Sequence, residues 1–453
     1  MTKCLFFLVL GFLVSVITTP WIIRLSRGGV GLDVPDESRK RQAVPIPRLG
    51  GIPLMLSLAL GVVLILLLDP PRAFEWFPIL VGTVMIYGLG LWDDVEPLGA
   101  KKKLVGQIAI ATVVTLMGLN IEKFSLPGYG TIELGAWSIP VTVFWLIAIP
   151  NIVNLIDGFD GLATGLGLFM SATLGIVGYH SEHFGLSWFA FTMAGALLGF
   201  LVFNFPPAKI YLGDAGAYLI GFTIAALSVS SSHKGSVAAA LLVTIVGLGL
   251  PILDTSFALI RRALRGFPLF HADDEHLHHR LEKLGISKRR ILFGLYGVCV
   301  VLSLIGLAIF WNQGGTVPIA IGAGAIFLMA LGVIRHFLRI HSWHDAHHQM
   351  KRVLNRRQIV QYTLLQAKVL ALEVDRCESA TEFWKILDQT MRRVGFVDEG
   401  EVEDQIMIQI RANGAKPWLL YASSSEASSV EWQRIAECFR PAYAKAVEKW
   451  KGR

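Results

Sequence analysis

The fold that this sequence predicts is an all-α polytopic membrane protein with a small cytoplasmic α/β domain at its C-terminus, and three observations carry that prediction. Of the 453 residues, 53% are hydrophobic and 17% charged, with a mean hydropathy of +0.56, a balance too apolar for ordinary soluble domains. Apolar runs of membrane-crossing length recur as far as residue 338, and beyond it the pattern turns basic and then amphipathic.

Taken in order, the runs lie near 4–23, 51–69, 77–92, 104–119, 138–155, 158–179, 185–203, 215–230, 236–260, 291–311 and 316–338, which predicts about eleven transmembrane helices. The first follows a lone Lys3, exceeds a typical signal-peptide core and has no clear cleavage site, so it reads as a retained helix. With the N-terminus outside, the short inner loops collect eighteen Lys and Arg residues against four outside, the bias expected of cytoplasmic loops. The net charge of +7 then belongs to a surface facing anionic lipid headgroups, and nucleic acid is not required as a partner. Cys4, Cys299, Cys377 and Cys438 have no CxxC spacing and suggest neither a zinc site nor a disulfide framework.

Almost every unusual polar residue falls at a junction that this topology places on the inner side. NLIDGFDG, Asn154 to Gly161, separates two apolar runs; Asp157 and Asp160 facing lipid at mid-bilayer would cost on the order of 5 kcal/mol together. They belong instead at the inner end of a helix pair, in a wet cleft, where Gly158 and Gly161 permit a turn or a close approach. In GLWDDVEPLGAKKKLVGQ, Asp93 and Asp94 end one span and Lys103 begins the next; adjacent carboxylates repel unless they share a cation or proton, and two solvated helix-end acids are the plainer alternative. In NFPPAKIYLGDAGAYLIGF, Asp214 stands where a carboxylate could simply cap a helix. In HADDEHLHHRLEKLGIS, His276, His278 and His279 could be a zinc site, a phosphate clamp or a polar loop. The four segments together, with Arg48, suggest Mg²⁺ holding a phosphorylated substrate, because Mg²⁺ prefers oxygen ligands and shares them with phosphates.

DVPDESRKRQAVPIPRLGG, the Asp93-Asp94 pair with KLVGQ, NIVNLIDGFDGLATG, NFPPAKIYLGDAG, and PILDTSFALIRR running into HLHHRL occur in this order between about residues 4 and 338. In these segments the chain resembles the polyprenyl-phosphate N-acetylhexosamine-1-phosphate transferase family, of the glycosyltransferase 4 type. The resemblance implies a multi-pass enzyme of the cell (inner) membrane, its active site facing the cytoplasm. It would transfer HexNAc-1-phosphate, GlcNAc-1-phosphate first, from a UDP-sugar to polyprenyl (undecaprenyl) phosphate and release UMP, at the start of a surface glycan pathway such as O-antigen. It implies Mg²⁺, with Mn²⁺ as a substitute, at Asp214 and Asp93, and catalytic roles for Asp93, Asp94, Asp214 and Lys103. Substrate contacts would come from Arg48, Asn154, Asp157, Gly158, Asp160, Asn204, Tyr211, His276, His278, His279 and Arg280. Gln42 stands where the family commonly has histidine, and HLHHRL replaces the PIHHHFE of the muramyl-pentapeptide enzymes, which favours a simple HexNAc donor.

Asp254, inside an apolar run, is a functional candidate or a partner of Arg261 and Arg262. Trp21, Trp76 and Trp92 lie near span ends and read as interfacial anchors. Residues 339–360 read as a basic juxtamembrane helix. From 361 to 453, ATEFWKILDQTMRRVGF reads as an amphipathic helix, and EDQIMIQIRA and KPWLLYAS as strands of a small accessory domain faintly similar to a GAF-type sensor fold. No catalytic motif marks it, so regulation, partner docking and homodimerisation stay open. The reading from another class is a secondary transporter, whose inverted repeats and mid-membrane polar groups this sequence does not display.

Overall fold

The computed structural model describes residues 1–26, 32–33, 45–68, 76–126, 130–230, 237–265, 281–282, 284–312, 315–338, 343–399, 404–410, 418–423 and 429–450. The chain divides into two compact units, 1–258 with 273–334, and 259–272 with 335–453. His276, His278, His279, Arg280 and Gln42, singled out in the sequence, lie outside the described residues.

The first unit is helical. It runs through α1 (Thr2–Ser26), α2 (Gly51–Leu68), α3 (Phe77–Val95), α4 (Ala100–Leu116), α5 (Ser138–Ile156), α6 (Leu162–His180), α7 (Phe184–Asn204) and α8 (Gly213–Ser230). There follow α9 (Val237–Gly247), α10 (Gly249–Arg265), α11 (Lys288–Trp311) and α12 (Thr316–Leu338). Short antiparallel pairs form between β1 (Leu32–Asp33) and β2 (Ile46–Pro47), and between β3 (Lys123–Leu126) and β4 (Gly130–Glu133).

α8 is the axis of this unit. Ala215 through Val229 are all buried, the signature of a helix apolar on every side and surrounded by others; α2, α3, α5, α6 and α7 all pack on it. α1 instead lies along α7. Their backbones meet closely because the contact is made by glycine: a Cβ on Gly195 would stand 1.9 Å from the Leu8 carbonyl oxygen.

Among the described residues eight helices are long and apolar enough to cross a membrane: α1, α2, α3, α5, α6, α7, α8 and α11. The eleven spans predicted from sequence therefore reduce to a smaller set at this criterion. α4 has 17 residues and α12 contributes a shorter apolar stretch, Thr316–Gly332. The run at 236–260 is not one helix but is broken at Leu248, where VGLGLP supplies two glycines and a proline that disfavour an uninterrupted ladder. Trp21 and Trp92 are exposed, 59% and 58%, as membrane anchors would be. Trp76 is a correction: it is buried, edge-on to Phe189 at 6.4 Å, and fills the notch left by Gly185.

The second unit contains the 34-residue helix α13 (Trp343–Arg376), α14 (Ala380–Val394), β5 (Phe396–Val397), β6 (Gln405–Ile410), β7 (Trp418–Ser423), α15 (Ser429–Glu437) and α16 (Arg440–Lys449). The basic segment at 339–360 is thus partly the beginning of a helix that continues to Arg376. The strands form an antiparallel sheet in the order β5-β7-β6. Phe383, Leu387, Ile408, Ile410, Trp432 and Phe439 make its core. α14 begins where the Ser379 side chain accepts the Glu382 N–H at 3.2 Å and ends at Gly395 with φ +109°, a stop that glycine adopts without strain.

A Gly195→Val substitution should force α1 from α7 and cost about 1–3 kcal/mol, as overpacking does. A lowered melting midpoint in detergent is the expected result; an unchanged midpoint would show that the two backbones are not in contact there.

Candidate active site

Residues of the junctions α1/α2, α3/α4, α5/α6 and α7/α8 meet at the N-terminus of α8. Asp94 fixes the meeting point. From the last turn of α3 its two carboxylate oxygens accept the backbone N–H groups of Asp214 and Ala215, at 2.8 and 2.9 Å. These are first-turn donors with no partner inside the helix, at the positive end of its dipole. Gly213, at φ +73°, makes the approach feasible, since a Cβ there would lie 2.1 Å from the Arg48 carbonyl oxygen and 2.6 Å from Asp94 Oδ2.

Asp93 turns elsewhere. Its Oδ1 accepts the Leu98 N–H at 2.8 Å, and its Oδ2 receives Lys103 Nζ at 3.0 Å; the same ammonium donates to Asp214 Oδ2 at 2.8 Å. Exposures of 12%, 16% and 23% for the side chains of Asp93, Asp214 and Lys103 leave this triad mostly covered yet still accessible. The sequence paired Asp93 with Asp94; in the structure one organises the site and the other holds the central helix.

Asn154 hydrogen-bonds to Asp214, and the Arg48 guanidinium lies near enough to act on both Asp94 and Asp157. Asp157 follows α5 directly. Burial first, then the charge of Asp214, pushes its carboxyl well above the usual carboxylate range; a group so placed is relieved by a nearby cation or by keeping its proton. Gly158 is exposed, with a non-left-handed backbone and open space where a Cβ would stand, whereas Gly161, at φ +79°, makes the turn into α6.

Other predicted residues support the loops. Asp160 Oδ2 accepts the Ala208 N–H at 3.1 Å. Asn204 is buried, and its Oδ1 accepts the Gly161 N–H at 3.1 Å and the Thr164 hydroxyl at 2.7 Å, while its Nδ2 donates to the Ile210 carbonyl at 2.9 Å. Its acceptor is thereby spent inside the protein, so in this structure Asn204 ties the 157–161 loop to the 204–210 loop. Tyr211 joins through its backbone: its N–H donates to Pro47 at 2.7 Å and its carbonyl accepts from Gly50 at 2.9 Å.

Sequence reasoning missed the residues beneath the acids. Tyr218, one turn below Asp214 on α8, hydrogen-bonds to Asp214, and nearby Gln107 Oε1 accepts from Asn151 Nδ2 at 2.7 Å. Tyr296 of α11 donates its hydroxyl to the Gly161 carbonyl at 2.6 Å. Polar side chains inside apolar runs were the available signal. Asp254 borders a small apolar cavity with Ile156, Leu162 and Cys299, under the 157–161 turn.

Among the described residues no three His, Cys, Asp or Glu side chains form a ready metal-ligand set. Two carboxylate oxygens nevertheless hold one cation, Lys103, between them, and one or two carboxylates are what Mg²⁺ takes from protein when phosphates supply the rest. The donor set therefore fits such an ion.

Residues 76–232 match the model of glycosyl transferase family 4. The chain is 33% identical over 307 residues to the probable undecaprenyl-phosphate N-acetylglucosaminyl 1-phosphate transferase of Bacillus subtilis (strain 168), covering 67% of this chain and 85% of that protein. It belongs to glycosyl transferase family 4. Among other relatives in the family are the decaprenyl-phosphate N-acetylglucosaminephosphotransferase of Mycobacterium tuberculosis (strain ATCC 25618 / H37Rv), 34% identical over 66% of this chain and 81% of that protein. The phospho-N-acetylmuramoyl-pentapeptide-transferase of Levilactobacillus brevis is 30% identical over 66% of this chain and 95% of its own length. The family match spans α3 to α8, the helices that carry the acidic recess.

Replacing Asp94 by Ala should leave two first-turn N–H groups without their acceptor and cost roughly 2–4 kcal/mol. Asp93→Ala, which loses a partly solvated ion pair and one hydrogen bond, should cost about 1 kcal/mol. Detergent melting curves check the order; equal losses would contradict the division between the two acids.

Proposed function

We propose that this protein transfers an N-acetylhexosamine-1-phosphate, GlcNAc-1-phosphate first among them, from a UDP-sugar to a polyprenyl phosphate such as undecaprenyl phosphate, and releases UMP. The observation that carries the reading is the convergence of Asp93, Asp94, Asp157, Asp214, Arg48 and Lys103 from four separate junctions on the start of α8. The printed names of the family relatives support both the reaction and the two donor kinds, N-acetylglucosaminyl and N-acetylmuramoyl-pentapeptide. The short HexNAc donor is favoured here by HLHHRL at 276–281. The Lys and Arg bias of the loops that share this end favours the cytoplasmic side of the cell membrane.

The chemistry asks for charge management more than for a strong base. A phosphate monoester has its second pKa near 6, so at neutral pH the lipid nucleophile is mostly a dianion. Its oxygen attacks the β-phosphorus of the UDP-sugar; the bond from that phosphorus to the oxygen shared with the α-phosphorus breaks, and UMP leaves with the electron pair. Bringing two anions together is the barrier, and neutralisation and alignment lower it.

Lys103 supplies a cation at the recess, and Arg48 a second beside it. Asp93 and Asp214 would hold Mg²⁺, or Mn²⁺ in its place, whose contribution is to neutralise and orient the diphosphate oxygens. Asn154 and Tyr218 hold the Asp214 carboxylate in position. The Asp157 carboxyl, held above its usual range, can donate a hydrogen bond to a phosphate oxygen or accept a cation's field. The open space at Gly158 lets a substrate reach the backbone of the turn.

Purified protein in detergent, given UDP-GlcNAc, should release UMP only when both polyprenyl phosphate and a divalent cation are added. Asp214→Ala and Asp93→Ala should each lower kcat at least roughly a hundredfold, as removal of an electrostatic stabiliser does. Near-normal turnover by Asp214→Ala at saturating Mg²⁺ would remove that residue from the metal site. UMP released from UDP-GalNAc or UDP-MurNAc-pentapeptide in preference to UDP-GlcNAc would change the donor and leave the reaction standing.

A further inference from the structure

The second unit contains a cavity of about 280 Å³ between α14 and the sheet, and nothing in the transferase chemistry uses it. Four aromatic residues line it, Trp384 from α14, Phe396 from β5, and Trp418 and Tyr421 from β7. The indoles are fixed before any ligand arrives. Trp418 stacks on Tyr443 with centroids 5.4 Å apart, and Trp384 meets both rings edge-on at 6.4 and 5.9 Å. Tyr443 itself is buried, so these rings extend a core that the unit already has. Trp384 is nevertheless 39% exposed, an open indole beside an otherwise closed core.

Leu387, Met391, Val397, Leu419 and Leu420 add apolar lining, and four charged side chains complete it. Among the described lining residues, Asp388, Asp398 and Glu399 stand with one cation, Arg392. Arg392 pairs with Asp388 at 3.3 Å and with Asp398, and the Tyr421 hydroxyl hydrogen-bonds to Glu399. Among these described side chains, three carboxylates against one guanidinium leave two negative charges in excess, and the ring faces add their own negative potential. An anion would be repelled from such a cleft. A neutral apolar molecule would gain from the rings and nothing from the acids. A cation with an apolar body gains from both, and the volume stands just below the roughly 300–1,000 Å³ of drug-sized sites. We propose that the cleft between α14 and β7 binds a small organic cation, an ammonium or guanidinium carried on an apolar body.

Two sources share this chemistry: a free amine and the basic side chain of a polypeptide. Isothermal titration of the full-length protein in detergent with 2-phenylethylamine, and separately with N-acetyl-lysine methylamide, should show saturable binding of at least one, the tighter naming the source. The neutral isostere 2-phenylethanol should bind more weakly by roughly tenfold, the scale of one cation–π contact. Trp384→Leu and Glu399→Gln, both at exposed positions, should each weaken the cation by a similar factor. Equal binding of cation and isostere, unaltered binding by both variants, or no saturable binding by either probe would overturn the proposal.

Discussion

Two backbone N–H groups at the start of a helix have to be answered by something, and here the answer is a carboxylate from another helix. Asp94 closes the first turn of α8 from the end of α3, and much of the site follows from that contact. Because α8 is buried on all sides, its N-terminus cannot be solvated freely, and an acid must be brought to it. Once Asp94 is in place, Asp93 projects about 100° away around α3, the angle between neighbours on a helix, and faces the recess where Lys103 and Asp214 meet. A structural need of the central helix thereby sets the position of the groups to which the proposed chemistry is assigned.

The same constraint accounts for how a chain rich in apolar residues tolerates so many acids. The acids around the head of α8 sit at helix ends or in a turn, and four of them have hydrogen-bond partners: Asp94 with backbone donors, Asp160 with Ala208, and Asp93 and Asp214 with one ammonium. Asp157, whose carboxyl is pushed above its usual range by burial and by the charge of Asp214, stands beside Gly158, where the protein leaves room. Charge is thus concentrated where a polyphosphate and its counter-ion would complete the balance, which is the property expected of a site that joins two phosphates.

Much of this was legible in the sequence, and the reasons for the exceptions are physical. The runs corresponding to α1 through α8 stood out because membrane helices are apolar throughout and their junctions are not. The break at Leu248 was less visible, since hydropathy averages over a glycine pair that leaves the run apolar. Trp76 looked like an interfacial ring by its place near a span end; only tertiary packing shows that Gly185 receives it. The acids were visible as anomalies, but adjacency in sequence concealed that Asp93 and Asp94 point to different tasks. The family resemblance set Asn204 beside the nucleotide site; that its hydrogen bonds also tie two loops together could be read only from the structure. Tyr218 and Gln107 lay within apolar stretches, where polarity alone does not say which neighbour a side chain will meet. In the second unit, the alternation of QIMIQI and WLLYAS marked β6 and β7 in advance, but the pairing of β7 between β5 and β6, and with it the aromatic cleft, depended on contacts distant in sequence.

The central claim is that Asp93 and Asp214 form, with a diphosphate, one divalent-cation site at the head of α8. Pulsed electron paramagnetic resonance on the protein loaded with Mn²⁺ and UDP-GlcNAc reads it directly, through hyperfine coupling between the manganese and phosphorus nuclei. The account predicts a ³¹P coupling that is present in the wild-type protein and absent from Asp214→Asn. A coupling that survives that substitution, or Mn²⁺ bound without any phosphorus nearby, would contradict it.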